Sequence, residues 1–261
     1  MQIALSCVNG QKAVAQGGTY DLLPSIRGLL ACPAGLRKRI FYWNPGLPNS
    51  PAEGTMVLDQ SSRARVEAAQ ALCAENGAEL CPYVGGDYGV YPDNKRRRAV
   101  LERFRGCPWI GLDHTDTGEL SGALVWQACS LGFSVVLEAN LDRQPWIRST
   151  AKRFPGQIGM MAESWLWLAA EAGGFNGVTR PGRFTVRAAQ AAGMQTFALV
   201  TRRTSGNDPK LGFTSVKEAD WNAHKPAVVR QMAAMGIDHT ILRPAGMTAG
   251  DLAGLAEEFG D

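Results

Sequence analysis

Trp109-Ile110-Gly111-Leu112-Asp113, Ser134-Val135-Val136-Leu137-Glu138 and Ile158-Gly159-Met160-Met161-Ala162-Glu163 are three short apolar runs, each closing on a carboxylate. They are too short for a helix of ordinary length and lack the strict alternation of a strand with one wet face. Such runs predict strands buried on both sides, as in a parallel sheet. The segments between them, Gly122 to Leu131 and Trp146 to Arg153, carry the amphipathic pattern of helices. Strand, helix, strand, helix, strand is the βαβ unit read twice over.

The same unit repeats outward in both directions. Upstream lie strand-like runs at Gln2 to Val8, Arg39 to Trp43 and Leu80 to Val84, and downstream at Gln195 to Thr201 and His239 to Leu242. Helical patterns follow at Leu22 to Leu30, Ser62 to Asn76, Lys95 to Arg105, Thr185 to Ala192, Lys225 to Met235 and Asp251 to Phe259. Gly77, Gly106, Gly132, Gly193 and Gly236 each stand just before a strand, where a helix ending in a left-handed residue wants glycine. An open doubly wound sheet would carry a glycine-rich phosphate loop after its first strand, and Val8-Asn9-Gly10-Gln11-Lys12 lacks the G-x-G-x-x-G pattern. Eight βα units in 261 residues predict an α/β fold of one kind, a single (β/α)8 TIM barrel spanning residues 1–261 as one domain.

Composition narrows the function classes. Hydrophobic residues make up 45% and charged residues 20%, the balance of a chain that buries a full core. A net charge of +3 is too small for a nucleic-acid surface. The one basic run, Lys95-Arg96-Arg97-Arg98, reads as a solvated helix face. Six cysteines are scattered without a C-x-x-C pair or a histidine at zinc-site spacing, which argues against a structural metal and for free thiols in a reducing compartment. No basic leader precedes the first strand and no apolar stretch is long enough for a membrane span, so the expectation is a cytoplasmic protein without membrane or nucleic-acid partners.

In a barrel the loops after the strands build the functional face. The acids Asp113, Glu138 and Glu163 end three consecutive strands, each 25 residues after the last. That spacing predicts one ring at one mouth, with all three at the same point of successive units. Alternation puts Gly111 and Trp109 on the face of Asp113, Asn140 and Val136 with Glu138, and Met161 and Trp165 with Glu163. An acid at the end of an apolar strand is partly desolvated, which favours its neutral form and suits proton donation; a second acid that stays ionised can act as nucleophile or base. The same trio could instead bind a hard divalent cation such as Mg2+. Asp116 reads as a cap or hydrogen-bonding partner, and His224 and His239 as structural or exposed.

Aromatic and polar residues fall in the same loops. Tyr42 and Asn44 end the second strand; Tyr83, Asp87 and Tyr88 follow the third; Asn140 follows the fifth and Trp165 the sixth. Rings that stack beside groups that hydrogen-bond suit sugars, so these are candidate substrate-binding residues, together with Arg202 and Arg243 after strands seven and eight. The two arginines could hold a phosphate with the backbone of residues 246–250, or serve as ion-pair partners that orient Glu138 or Glu163.

Taken together these features resemble the glycosidase-type (β/α)8 barrels, in which acids at the ends of the fourth and later strands carry the reaction. Ile110-Gly111-Leu112-Asp113-His114-Thr115-Asp116 is similar to the acid-rich fourth-strand motif of chitinase-like barrels, although the glutamate one step past the last aspartate is missing here. The even spacing of the acids is similar to that of the metal ligands of enolase-type barrels, whose capping domain and catalytic lysine have no counterpart in the chain. The resemblance implies a carbohydrate-active hydrolase with Glu138 and Glu163 as acid and nucleophile or base, Asp113 as modulator, no cofactor, and a carbohydrate or other small polar substrate. Alternatives are a metal-dependent lyase, isomerase or phosphoesterase using the same acids, and a non-catalytic barrel within a larger assembly.

Overall fold

Eight parallel strands close into a cylinder in chain order: β1 (Gln2–Cys7), β2 (Arg39–Asn44), β3 (Glu79–Val84), β4 (Trp109–Asp113), β5 (Ser134–Glu138), β6 (Ile158–Glu163), β7 (Gln195–Val200) and β8 (His239–Leu242), with β8 pairing back onto β1. The computed structural model describes residues 1–7, 22–44, 63–84, 98–99, 101–113, 122–138, 141, 145–163, 187–200 and 218–260, with residues 7, 22, 42–44, 83–84, 113, 138, 162–163 and 218–221 described through their backbone. Around the cylinder lie α1 (Leu22–Leu30), α2 (Arg63–Glu75), α3 (Gly122–Ser130), α4 (Trp146–Arg153), α5 (Glu218–Ala234) and α6 (Ala249–Phe259), with a 3-10 turn at Ala34–Leu36. Residues 187–191 are also helical. The chain is therefore a (β/α)8 TIM barrel.

The strands match the apolar runs within two residues at either end, because parallel strands covered on both faces announce themselves by composition. Glycines end the helices as expected; Gly77 and Gly236, for example, take φ of 67° and 71°. α5 differs from expectation: it starts at Glu218, not Lys225, and runs through Pro226. A proline inside a helix removes one backbone hydrogen bond. Burial of Val228, Val229 and Met232 beyond it holds the helix on the barrel.

Strand alternation divides the core in two. Ile3, Leu5, Ile40, Leu80, Ile110, Leu112, Val135, Leu137, Ile158 and Met160 face outward and pack under the helices. Ala4, Phe41, Cys81, Trp109, Val136, Met161, Phe197, Leu199 and Ile241 fill the cylinder itself. Its lower half is an aromatic plug: Phe197 meets Trp109 edge-on at 5.1 Å between centroids, meets Phe41 at 6.0 Å, and stacks on His239 at 4.3 Å.

The N-terminal end is closed by a polar network. The Arg39 guanidinium donates to Glu79 (3.0 Å) and Gln2 (3.1 Å) and lies 3.5 Å from Nδ1 of His239. His239 Nε2 meets Gln195 Oε1 at 2.7 Å. Side chains also tie neighbouring turns on this face: Gln157 donates to the Phe133 carbonyl, Gln190 to the Gly236 carbonyl, and Asp238 accepts from the backbone N–H and hydroxyl of Thr196. This end serves stability, as the bottom face of such barrels generally does. Cys73, Cys81, Cys107 and Cys129 are buried free thiols. Burial pushes Cys107 and Cys129 up to about 12, so they behave as small hydrophobes. Arg98 is exposed and pairs with Glu102, and the rest of the basic run, residues 95–97, lies outside the described residues. Among the described residues, no helix is long and apolar enough to cross a membrane.

Candidate active site at the C-terminal mouth

The strand ends are positioned by register. Asp113 and Glu138 are direct partners across β4 and β5, so their Cα atoms stand one strand spacing apart, about 4.8 Å. Glu163 is the partner of Leu199 on β7. Added around the cylinder, the pairings return to β1 eight residues out of step, the shear of a TIM barrel.

Shear sorts the inward positions into layers of four from alternate strands. Extending the registers places positions 43, 113, 163 and 243 (Trp43, Asp113, Glu163 and Arg243) in the uppermost layer, one from each of β2, β4 and β6 and one just past the end of β8. Ser6, Tyr83, Glu138 and Leu199 form the layer beneath, one from each odd-numbered strand. A layer step is about 2.7 Å along the axis, given the rise and tilt of such strands. Below come Phe41, Gly111, Met161 and Ile241, where the apolar plug begins.

Equal spacing in the sequence therefore does not mean equal height. The β4–β5 register matches the 25-residue step, but Leu137 pairs with Met160, a step of 23. Glu163 consequently stands two residues beyond the partner of Glu138 and shares its layer with Asp113. All three acid positions still carry the inward parity of Trp109, Val136 and Met161.

The same parity bears on the aromatic candidates. Positions 42 and 44 share the outward parity of Ile40, whereas Trp43 shares that of Phe41. Tyr83 lies on the inward parity of Cys81. Asp87, Tyr88, Asn140, Trp165 and Arg202 fall outside the described residues. The alternation that picked out the acids also puts positions 43 and 6 on the inward parity, with Phe41 and Ala4.

Arg243 directly follows β8, its N–H pointing to Val200 O at 3.4 Å. Its carbonyl accepts from Lys225 Nζ at 3.0 Å, and Lys225 also donates to Ala245 O at 2.7 Å. Lys225 is only 4% exposed, so a buried ammonium from α5 fastens the loop after β8. Gly246 follows at φ 78°, a conformation that favours glycine, and packs so closely on Asn222 that a Cβ would displace that side chain. The N-terminus of α6 offers little to a phosphate. Thr248 caps it, accepting from Asp251 N–H, while the Asp251 carboxylate accepts from Thr248 and is held below its usual range by those hydrogen bonds. An anion there would face that carboxylate. If the mouth took a divalent ion, the three acids at positions 113, 138 and 163 would be its natural ligands.

No known family model matches the sequence, and no curated protein does. Solved structures match it in fold. A dihydropteroate synthase from Xanthomonas albilineans in complex with 7,8-dihydropteroate superposes with a TM-score of 0.56 at 12% identity, over 98% of this chain and 94% of that one. A trimodular endoglucanase of the GH5_4 subfamily gives 0.52 at 12% identity, over 93% of this chain and 55% of that one. At such identity the likeness is one of TIM-barrel architecture.

Proposed function

We propose that the barrel is a carbohydrate-active hydrolase, with Glu138 and Glu163 as acid and nucleophile or base and Asp113 as modulator. One observation carries the reading: three acid positions end consecutive strands on the inward parity, above a buried apolar plug. Glycoside hydrolysis needs one acid that keeps its proton and one that is ionised, and environments of different polarity separate the two. Here the layers differ: the register sets position 138 one layer below positions 113 and 163. In this reading the residue nearer the apolar floor serves as the proton donor, and the one in the layer of Arg243 serves as the nucleophile or base. Trp43 and Tyr83 on the inward parity would offer rings for the apolar faces of a sugar. The fold likeness to an endoglucanase is compatible with this reading.

The experiment is release of reducing ends from a panel of polysaccharides that includes a β-glucan. Wild-type protein should release them, and Glu138→Gln or Glu163→Gln should lower the rate by about a hundredfold or more with an unchanged circular dichroism spectrum. Unchanged rates in both variants would remove these residues from the mechanism. Activity that persists in EDTA would separate this chemistry from a metal-dependent reaction at the same acids.

A further inference from the structure

We propose that Ser6 is a ligand-binding residue at the floor of the mouth, its hydroxyl placed to bond a neutral hydroxyl group of a bound saccharide. Naming a saccharide rests on the hydrolase reading; the binding role rests on the geometry of β1.

Ser6 is 1% exposed, and its Oγ meets no hydrogen-bond partner among the described residues. Its backbone belongs to the parallel ladder, pairing with Phe41 of β2. It shares the parity of Ala4, which lies in the barrel interior, so the hydroxyl is directed into the lumen and not under the helices. A buried hydroxyl without a partner destabilises a protein, and native structures keep few of them. Serine is also a poor choice for packing here, where the other strands supply Leu199, Met161 and Ile241 at or near the same height.

Nothing beneath Ser6 supplies the missing partner. In the layer beneath Ser6, Phe41, Met161 and Ile241 are buried hydrocarbon or thioether, and Gly111 has no side chain. They offer a bridging water too few partners, since a buried water needs two to four. Upward lies the mouth, with the Glu138 position across the barrel axis from Ser6 in its own layer. A serine hydroxyl both donates and accepts, which matches an alcohol. An anionic group would face three carboxylate positions against Arg243 in the two upper layers. A neutral, hydroxylated ligand is the class that fits.

The full-length chain tests this in two measurements. In urea, ligand-free Ser6→Ala should be at least as stable as wild type, because it loses only an unpaired hydroxyl. In calorimetric titrations with cellotetraose, xylotetraose and mannotetraose, on a Glu163→Gln background that prevents turnover, it should bind about tenfold more weakly. Ser6→Cys, similar in size but a poor hydrogen-bonder, should repeat the loss. Clear destabilisation of ligand-free Ser6→Ala would reveal an internal partner and overturn the proposal. So would unchanged affinity in a protein that hydrolyses the sugars, which leaves the hydrolase reading standing. Binding that depends on Ser6 without any hydrolysis would retain the proposal and remove the hydrolase, whereas a parent protein that binds none of the three sugars would overturn both.

Discussion

The ring of Phe197 fills the space in which a side chain on Gly159 would begin. A Cβ there would run into the ring edge and lie 3.4 Å from Trp109. The two residues come from adjacent strands, β6 and β7, and an absent side chain on one makes room for the largest on the other. Gly159→Ala should therefore destabilise the barrel by about 1–3 kcal/mol through overpacking. In urea denaturation, Gly159→Ala combined with Phe197→Leu should recover part of that loss. A single variant as stable as wild type would mean that the plug repacks freely.

His239 makes stability depend on pH. Burial first, and then the charge of Arg39, lower its pKa from 6.5 to about 4. The neutral ring accepts at Nδ1, facing Arg39, and donates from Nε2 to Gln195. Between pH 6.5 and 4 the unfolded chain takes up a proton that the folded chain refuses. Stability is thus fully present above pH 6.5 and falls as the pH drops toward 4, by about 3 kcal/mol at most. Denaturation midpoints across this range should slope for wild type and flatten for His239→Gln. Equal slopes in the two proteins would contradict this account.

Lys225 is the counterpart of that network at the other end of the barrel. Its ammonium bonds the carbonyls of Arg243 and Ala245 while almost wholly buried. Lys225→Met would leave these acceptors unsatisfied at a cost of about 1–3 kcal/mol and loosen the backbone that carries Arg243. In the proposed hydrolase kcat/KM should fall even at temperatures where the variant remains folded. Normal activity in the folded variant would show that the position of Arg243 does not depend on this clamp.

The strands and their inward faces were legible because each is a short apolar run and side chains alternate with a period of two. Trp109, Val136 and Met161 could be assigned to the lumen on that basis, and they lie there. Height within the barrel was not legible. It depends on register, and the 23-residue offset between β5 and β6 follows from how the strands pair. That is why Asp113, Glu138 and Glu163 read as one ring although the pairings distribute them over two layers. The start of α5 was misread for a different reason: Pro226 resembles a first-turn proline, and only packing shows that the helix passes through it.

Parity makes one more prediction, from neighbouring residues of a single strand. Position 43 shares the inward face of β2 with buried Phe41, and position 42 the outward face with buried Ile40. Trp43→Ala should weaken cellotetraose binding by about tenfold or more, as removal of a stacking ring does, and leave stability nearly unchanged. Tyr42→Ala, on the opposite parity, should do the reverse, lowering stability while sparing affinity in the folded protein. Titration calorimetry and urea denaturation on the two variants separate these effects. If Tyr42→Ala impaired binding and Trp43→Ala destabilised the fold, the facing of β2 would be inverted at its end, and the layer containing Asp113 and Glu163 would lose its aromatic member.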